Sequence, residues 1–448
     1  MRMIGVWGLL ILFLAGGLVF AQTGTKQPAA SPLEEELQKL REAGIPTTIE
    51  ELNLPEIPDE ENAALVYQKV FDLMDKNKED IQDKFRDLPS YSDITQWTEE
   101  QKKEISLFIK KNKEIYKLLE KATSMPKCRF PIKYEDGPEM LLMHLAKLRM
   151  CARFLAVKSI METEKGQMEN ALDIYISGIK LTQSLSNEPV LISSLVRIAI
   201  DSMMLSSLEE ILNKGTVDNK SYTKLVQEIM EEKESRIISF GLQGESILSG
   251  LWIYNRISKG PIKDTLEHFR LLGFGMGPPE EPGKLIKKYL PFAENDIVFY
   301  LQTISSYISL SKEPYWQAKD KLEQLEKNLV TLPREKYLLS FLLLPALSPS
   351  YLKEARSDAY SGAAVIAIAN RIYRQKHGEF ASSLSQLTPD ILPTLPLDPF
   401  TGKDYIYRKK DKGFIVYSVA DNMKDDGGFS QNEKGWQGDY DIVWEDKN

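Results

Sequence analysis

Histidine and cysteine are scarce in this chain. Three His residues, at 144, 268 and 377, are spread over 448 positions, and two Cys stand at 128 and 151. A transition-metal centre built on imidazoles, or a Ser-His-Asp triad, has little to draw on. Excess positive charge is also missing: 57 Lys and Arg face 65 Asp and Glu, for a formal net charge of −8. Phosphate backbones are held by basic stripes, so nucleic acid is not expected as a partner. A phosphate-cradling loop is lacking too. Gly273, Gly275 and Gly277 come near one, but Pro278 and Pro279 follow where a helix should begin with Lys-Ser or Lys-Thr. The apolar run at 337–347 contains Pro345 and falls short of the roughly 20 residues that cross a bilayer. What remains is 42% hydrophobic and 27% charged, enough material for two or three globular domains.

One long apolar run does open the chain. Arg2 precedes an uncharged stretch from Met3 to Ala21, closing on Val19-Phe20-Ala21. That is the layout of a secretory signal cleaved before Gln22, and the expected location is extracytoplasmic, in the periplasm or cell envelope. The same stretch is long enough for membrane anchoring through residues 3–21 if it stays uncleaved. No Cys follows it, so a lipid anchor is not expected. In an oxidising space Cys128 and Cys151 have two readings. A bridge between them stabilises by roughly 3 kcal/mol if unstrained. Alternatively they are separate thiols, since Cys151 shares an apolar helix face with Leu148 and Leu155.

Helical period dominates the first three quarters. Residues 22–58 read as a polar tether and short helices, with a helix at 33–43 stopped by Gly44, and Pro55 and Pro58 as later breaks. Asp59 is then expected to open a helix buried along Ala63, Val66, Val70, Phe71 and Met74. Thr98 with Gln101 makes a capping box ahead of the next stripe. Three long helices are expected between 137 and 212, and more at 218–236, 295–310 and 314–329. The stretch KGQMENALDIYISGIKL, at 165–181, resembles the second half of a tetratricopeptide repeat: Gly166 for the turn, Ala171 for close crossing, Tyr175 and Gly178 for the next layer. No second copy follows, so a single repeat-like hairpin is expected.

The last hundred residues change character. Pro393, Pro396 and Pro399 hold an extended segment, Thr401-Gly402 turns the chain, and DYIYR and GFIVYS read as strands. This stretch reads as scaffold, with no ligand assigned. From Asp421 to Asn448 eight acidic residues face three Lys. Calcium takes about six to eight oxygens from carboxylates and carbonyls on a flexible loop. Asp421, Asp425, Asp426, Asp439 and Asp441 are the candidate metal ligands. The competing reading is a solvated tail in which Asp, Asn and Gly simply make turns. Glycoside hydrolysis is not expected, because an exposed loop offers nothing to raise one carboxyl's pKa.

Residues from about Tyr360 to Trp444 resemble the globular domain of the major pseudopilins of type II secretion. The resemblance implies a helix leading through a loop into a small antiparallel sheet, and a calcium-binding acidic loop after the last strands. Asp421 and one Asp of Asp439-Tyr440-Asp441-Ile442 match its ligand-bearing positions. Ala420 and Asn422 stand where that family usually has glycines, and the insertion between Gly428 and Asp439 is longer. No prepilin signature heads the apolar run, so the chain is not expected to polymerise through its N-terminus. EAGIPTTIEEL, PDEENAALVYQKVF, CRFPIKYEDG and MLLMHLAKLRM also occur in this order in a family of exported bacterial proteins of unknown function. The chain resembles that family from about Leu33 to its end.

The expected fold is therefore mainly α. A signal peptide at 1–21 and the tether at 22–58 lead to a multi-helix domain at 59–350 and a small α+β domain at 351–448. The expected function is non-catalytic: an extracytoplasmic interaction or assembly protein with envelope proteins as partners and a calcium-stabilised terminal loop. An accessory part of a type II secretion or surface-fibre system is the alternative, and an unrecognised hydrolase a lesser one.

Overall fold

Ser31 starts the first helix. Its hydroxyl accepts from the Glu34 N–H while Glu34 reaches back to the Ser31 N–H, which satisfies two of the donors a helix N-terminus leaves open. The computed structural model describes residues 30–86, 88, 90–91, 94–234, 237–260, 282–429 and 440–447. The signal run at 3–21, the glycine-rich stretch at 271–281 and Asp439 lie outside the described residues.

Helices α1 (Pro32–Glu42), α2 (Ala63–Lys76), α3 (Lys78–Arg86), α4 (Glu99–Lys111) and α5 (Lys113–Ser124) come first. The three long ones follow as α6 (Met143–Glu164), α7 (Met168–Gln183) and α8 (Leu191–Lys214). Next are α9 (Asn219–Glu234), α10 (Ile237–Glu245) and α11 (Trp252–Lys259), the last two joined by a π-helical turn at Ser246–Leu251. Then come α12 (Pro282–Tyr289), α13 (Ala293–Leu310), α14 (Tyr315–Val330), α15 (Leu338–Leu343) and α16 (Leu347–His377). Three short strands close the chain: β1 (Ile406–Lys409), β2 (Phe414–Ser418) and β3 (Ile442–Asp446). They form one antiparallel sheet in the order β1-β2-β3. The protein is mainly helical with a small terminal sheet, as the periodicity predicts.

Some local expectations shift. Asp59 makes only a 3-10 turn, and Asn62 caps α2 instead, accepting from the Ala64 N–H at 3.1 Å. The Asn62 amide also donates to the Arg129 carbonyl, so the cap doubles as a staple to the Lys127–Arg129 segment. The Thr98–Gln101 capping box is present as read. Cys128 and Cys151 are separate buried thiols, and Cys151 Sγ lies 4.0 Å from Met74 Sδ. Burial pushes the Cys128 thiol up to about 12 and that of Cys151 higher still. Both behave as small core hydrophobes.

Two large apolar cores hold the described residues together, with two smaller clusters beside them. One takes Leu148, Ile160, Tyr175 and Leu208 together with Ile368, Phe414 and Trp444. The other joins Leu40 of α1 to Ile238, Tyr300, Ile304 and Leu322. Helix α16 belongs to both, with Leu347 and Tyr351 in the second and Ala363 to Ile372 in the first. It is the spine. Helix α8 is long and apolar enough to cross a membrane by length and composition, with 67% of its apolar window buried inside the protein. Gly178 on α7 explains part of that fit. A Cβ there would lie 2.4 Å from the Met204 methyl, so any side chain would force Met204 out of its place between α7 and α8.

Buried polar groups fix the joints between elements. Asp296 on α13, fully buried, accepts from Tyr289 Oη and the Leu339 N–H at 2.7 Å each, and from Ser340. A carboxylate from a distant helix thus caps α15, where the local sequence supplies no cap. Arg371 of α16 and Asp446 of β3 pair at 2.7 Å with side chains 3% and 1% exposed. That pair locks the last strand to the spine.

Candidate functional site

The acidic loop is positioned by the central strand. All five residues of β2 are buried, although a three-stranded sheet on a helix covers only one of its faces. Gly428 supplies the missing cover: a Cβ on it would lie 2.9 Å from Ile415 and 3.1 Å from Tyr417. The segment after Ser418 folds back over the outer face of the sheet.

Its carboxylates are held one at a time. Asp421 pairs with Arg356 of α16 at 2.6 Å, and Arg356 also donates to Tyr440 Oη. Asp425 accepts from Tyr417 Oη at 2.8 Å, from the Gly427 N–H at 2.9 Å and from Arg408 at 3.1 Å. Its partial burial works to raise its pKa, but those donors prevail and hold the carboxyl below its usual range. Asp426 accepts from the Asn422 amide. Asp441, 1% exposed, accepts from the Gly428 N–H at 2.7 Å and more loosely from the Asp426 N–H. Burial pushes Asp441 up, and the neighbouring charges of Asp426 and Asp425 add to that.

Among the described residues no three His, Cys, Asp or Glu side chains converge as a metal-binding group. Calcium at Asp421 or Asp425 would have to compete with Arg356 or Arg408 for the same oxygens. Asp439, the fifth candidate ligand, lies outside the described residues.

A second group of acids does meet in one place. Glu313, Glu354, Asp358 and Asp398 line a cleft of about 190 Å³ together with Tyr315, Trp316 and Tyr351. Tyr351, Glu354, Ala355 and Asp358 fall at i, i+3, i+4 and i+7 on α16, which is one helix face. The opposite wall is the start of α14. Its Trp316 N–H donates to the Pro399 carbonyl at 3.0 Å, tying the Leu397–Pro399 segment against the helix. Phe400 is fully buried behind it, 5.2 Å from the Tyr315 ring.

Three of the acids have anchors that fix their direction. Glu354 accepts from the Ile238 N–H at 3.1 Å, and Asp398 accepts from the Phe400 N–H and Ser418 Oγ. Burial pushes Asp398 upward, against the pull of those hydrogen bonds. Glu313 pairs with Lys321 at 3.3 Å, and Asp358 is half-buried on the helix face. Above them, Trp316 and Leu397 are 43% and 53% exposed. The rim is apolar and the walls are acidic. No Lys, Arg or His is among the described lining residues.

The sequence reading missed this cleft. Its segment at 393–399 was expected to be scaffold without a ligand, and the four acids lie up to 85 positions apart (313 to 398). The one available signal was the helical spacing of Tyr351, Glu354 and Asp358, some 35 positions after the Pro314-Tyr315-Trp316 run. No protein-family model, curated protein or solved structure matches this chain.

Proposed function

We propose that the protein is a non-catalytic interaction or assembly factor of the cell envelope, and that the cleft between α14, α16 and the Leu397–Pro399 segment is its docking point. The observation that carries this reading is the exposed Trp316–Leu397 rim over anchored carboxylates. Aromatic and aliphatic anchors beside polar groups are what partner proteins use for recognition. Export rests on the Met3–Ala21 run and its Val19-Phe20-Ala21 ending. A role as an accessory to a secretion or surface-fibre system is the second reading. It is favoured by the long helix that leads through a proline-fixed loop into a three-stranded antiparallel sheet, the arrangement implied by the pseudopilin resemblance.

Site-specific photo-crosslinking in intact cells tests the docking point. A crosslinker at Leu397 is expected to give one defined adduct with an envelope protein. The same group at Leu107, an exposed residue on α4, is the control. Identical adduct patterns from both positions would contradict the reading. Recovery of that adduct with pilin-like subunits would select the second one.

A further inference from the structure

The cleft has more chemistry than an apolar rim requires. We infer that it binds a cationic side chain, the ammonium of lysine or the guanidinium of arginine, presented by a partner protein between apolar neighbours. This rests on the docking reading above and names what docks.

Size comes first. Pockets for small organic ligands start at about 300 Å³, so 190 Å³ suits one inserted side chain better than a free metabolite. Charge comes second. Four carboxylates arrive from three separate segments, at 313, at 354 and 358, and at 398, with no basic residue among the described lining. Lys321 already pairs with Glu313 at 3.3 Å, so an entering cation is drawn chiefly by the walls at 354, 358 and 398 and competes with that lysine at 313. Aromatic faces come third. Tyr315, Trp316 and Tyr351 stand in the same lining, with Tyr315 and Tyr351 ring centroids 5.8 Å apart. Ring faces attract ammonium and guanidinium groups, most strongly where water is displaced. The exposed Trp316 and Leu397 then receive the apolar neighbours of the inserted residue.

Rigidity supports the same conclusion. The Trp316 ring lies over Gly402, where a Cβ would come within 2.5 Å of it, so the indole packs against the turn. Ser418 and the Phe400 N–H fix Asp398, and the Ile238 N–H fixes Glu354. A site whose groups are already oriented loses less entropy on binding.

The test uses the full chain labelled with 5-fluorotryptophan, the Trp316 resonance being assigned by its loss in Trp316→Phe. The probe is the peptide acetyl-Gly-Leu-Lys-Leu-Gly-amide, with arms in which Lys is replaced by Arg or by uncharged norleucine. The Trp316 signal is expected to move saturably with the Lys or Arg peptide and to stay in place with norleucine. Asp358→Asn and Glu313→Gln are each expected to weaken binding by about tenfold, with the helical circular dichroism unchanged. Equal response to norleucine overturns the cationic assignment and leaves an apolar docking surface. No response to any peptide by folded protein also overturns it. In either case, a Leu397 adduct in cells would still stand, so the two failures are distinguishable.

Discussion

Two sets of acids behave in opposite ways. The carboxylates at 421, 425, 426 and 441 are crowded in sequence, yet the fold gives Asp421 and Asp425 their own arginines and turns Asp441 onto backbone N–H groups. Those at 313, 354, 358 and 398 are scattered in sequence, yet they line one cavity, with Lys321 paired to Glu313. Proximity along the chain therefore draws attention to the first set and conceals the second. The difference arises from what surrounds each set. A loop folding over a strand needs its charges neutralised locally, whereas a cleft between helices gathers side chains from whichever elements happen to meet.

The sharpest way to break this comparison is to ask what holds the terminal sheet in place. If the buried Arg371–Asp446 pair is the lock, Asp446→Ala strands an arginine in the core and should cost about 3–5 kcal/mol in urea denaturation. Asp421→Ala removes a partner at a pair more than a third exposed, so it should cost less than about 1 kcal/mol. Comparable losses from the two variants would mean that the loop is as much a lock as the strand.

Next in size is a pH effect at the spine. Asp201 of α8 is buried beside Ser357, with Glu232, Asp358 and Arg197 near it. Burial pushes its carboxyl from 3.8 up to about 7, with Glu232 and Asp358 adding to the rise and Ser357 and Arg197 opposing it. Because the folded form holds the proton more tightly, stability from this group is full below 3.8. It is lost as pH rises toward 7 and flat beyond, at no more than about 1.4 kcal/mol per pH unit. Urea midpoints at about pH 5 and about pH 8 should differ less in Asp201→Asn than in the native chain. Glu209, Glu245 and Asp296 are pushed the same way by burial, so some slope should persist in the variant.

The smallest expected effect concerns calcium. With Arg356 and Arg408 removed, the Asp421 and Asp425 oxygens become open to an ion. Thermal melting of Arg356→Ala/Arg408→Ala should respond more to calcium against chelator than that of the native chain. An equal or larger calcium shift in the native chain would show that the arginines do not stand in an ion's way.

These contrasts also mark what the sequence could convey. Helical stripes such as Ala63, Val66, Val70 and Met74 announce themselves because burial on one face imposes a period. The Thr98–Gln101 cap and the GFIVYS strand are local in the same sense. Asp296 capping a helix 43 positions away, or Arg371 meeting Asp446, has no local trace. The cleft belongs to that second kind, since its walls are joined only by tertiary packing.

The central claim is that the scattered acids act as one site and the clustered ones do not. It is tested most directly by affinities of the lysine peptide for Glu313→Gln, Asp358→Asn, their double variant and an Asp421→Asn/Asp425→Asn control. The account predicts that the cleft variants each weaken binding by about tenfold, the double variant further, and the loop control not at all. Loss of affinity in the loop control with the cleft variants unaffected would contradict it.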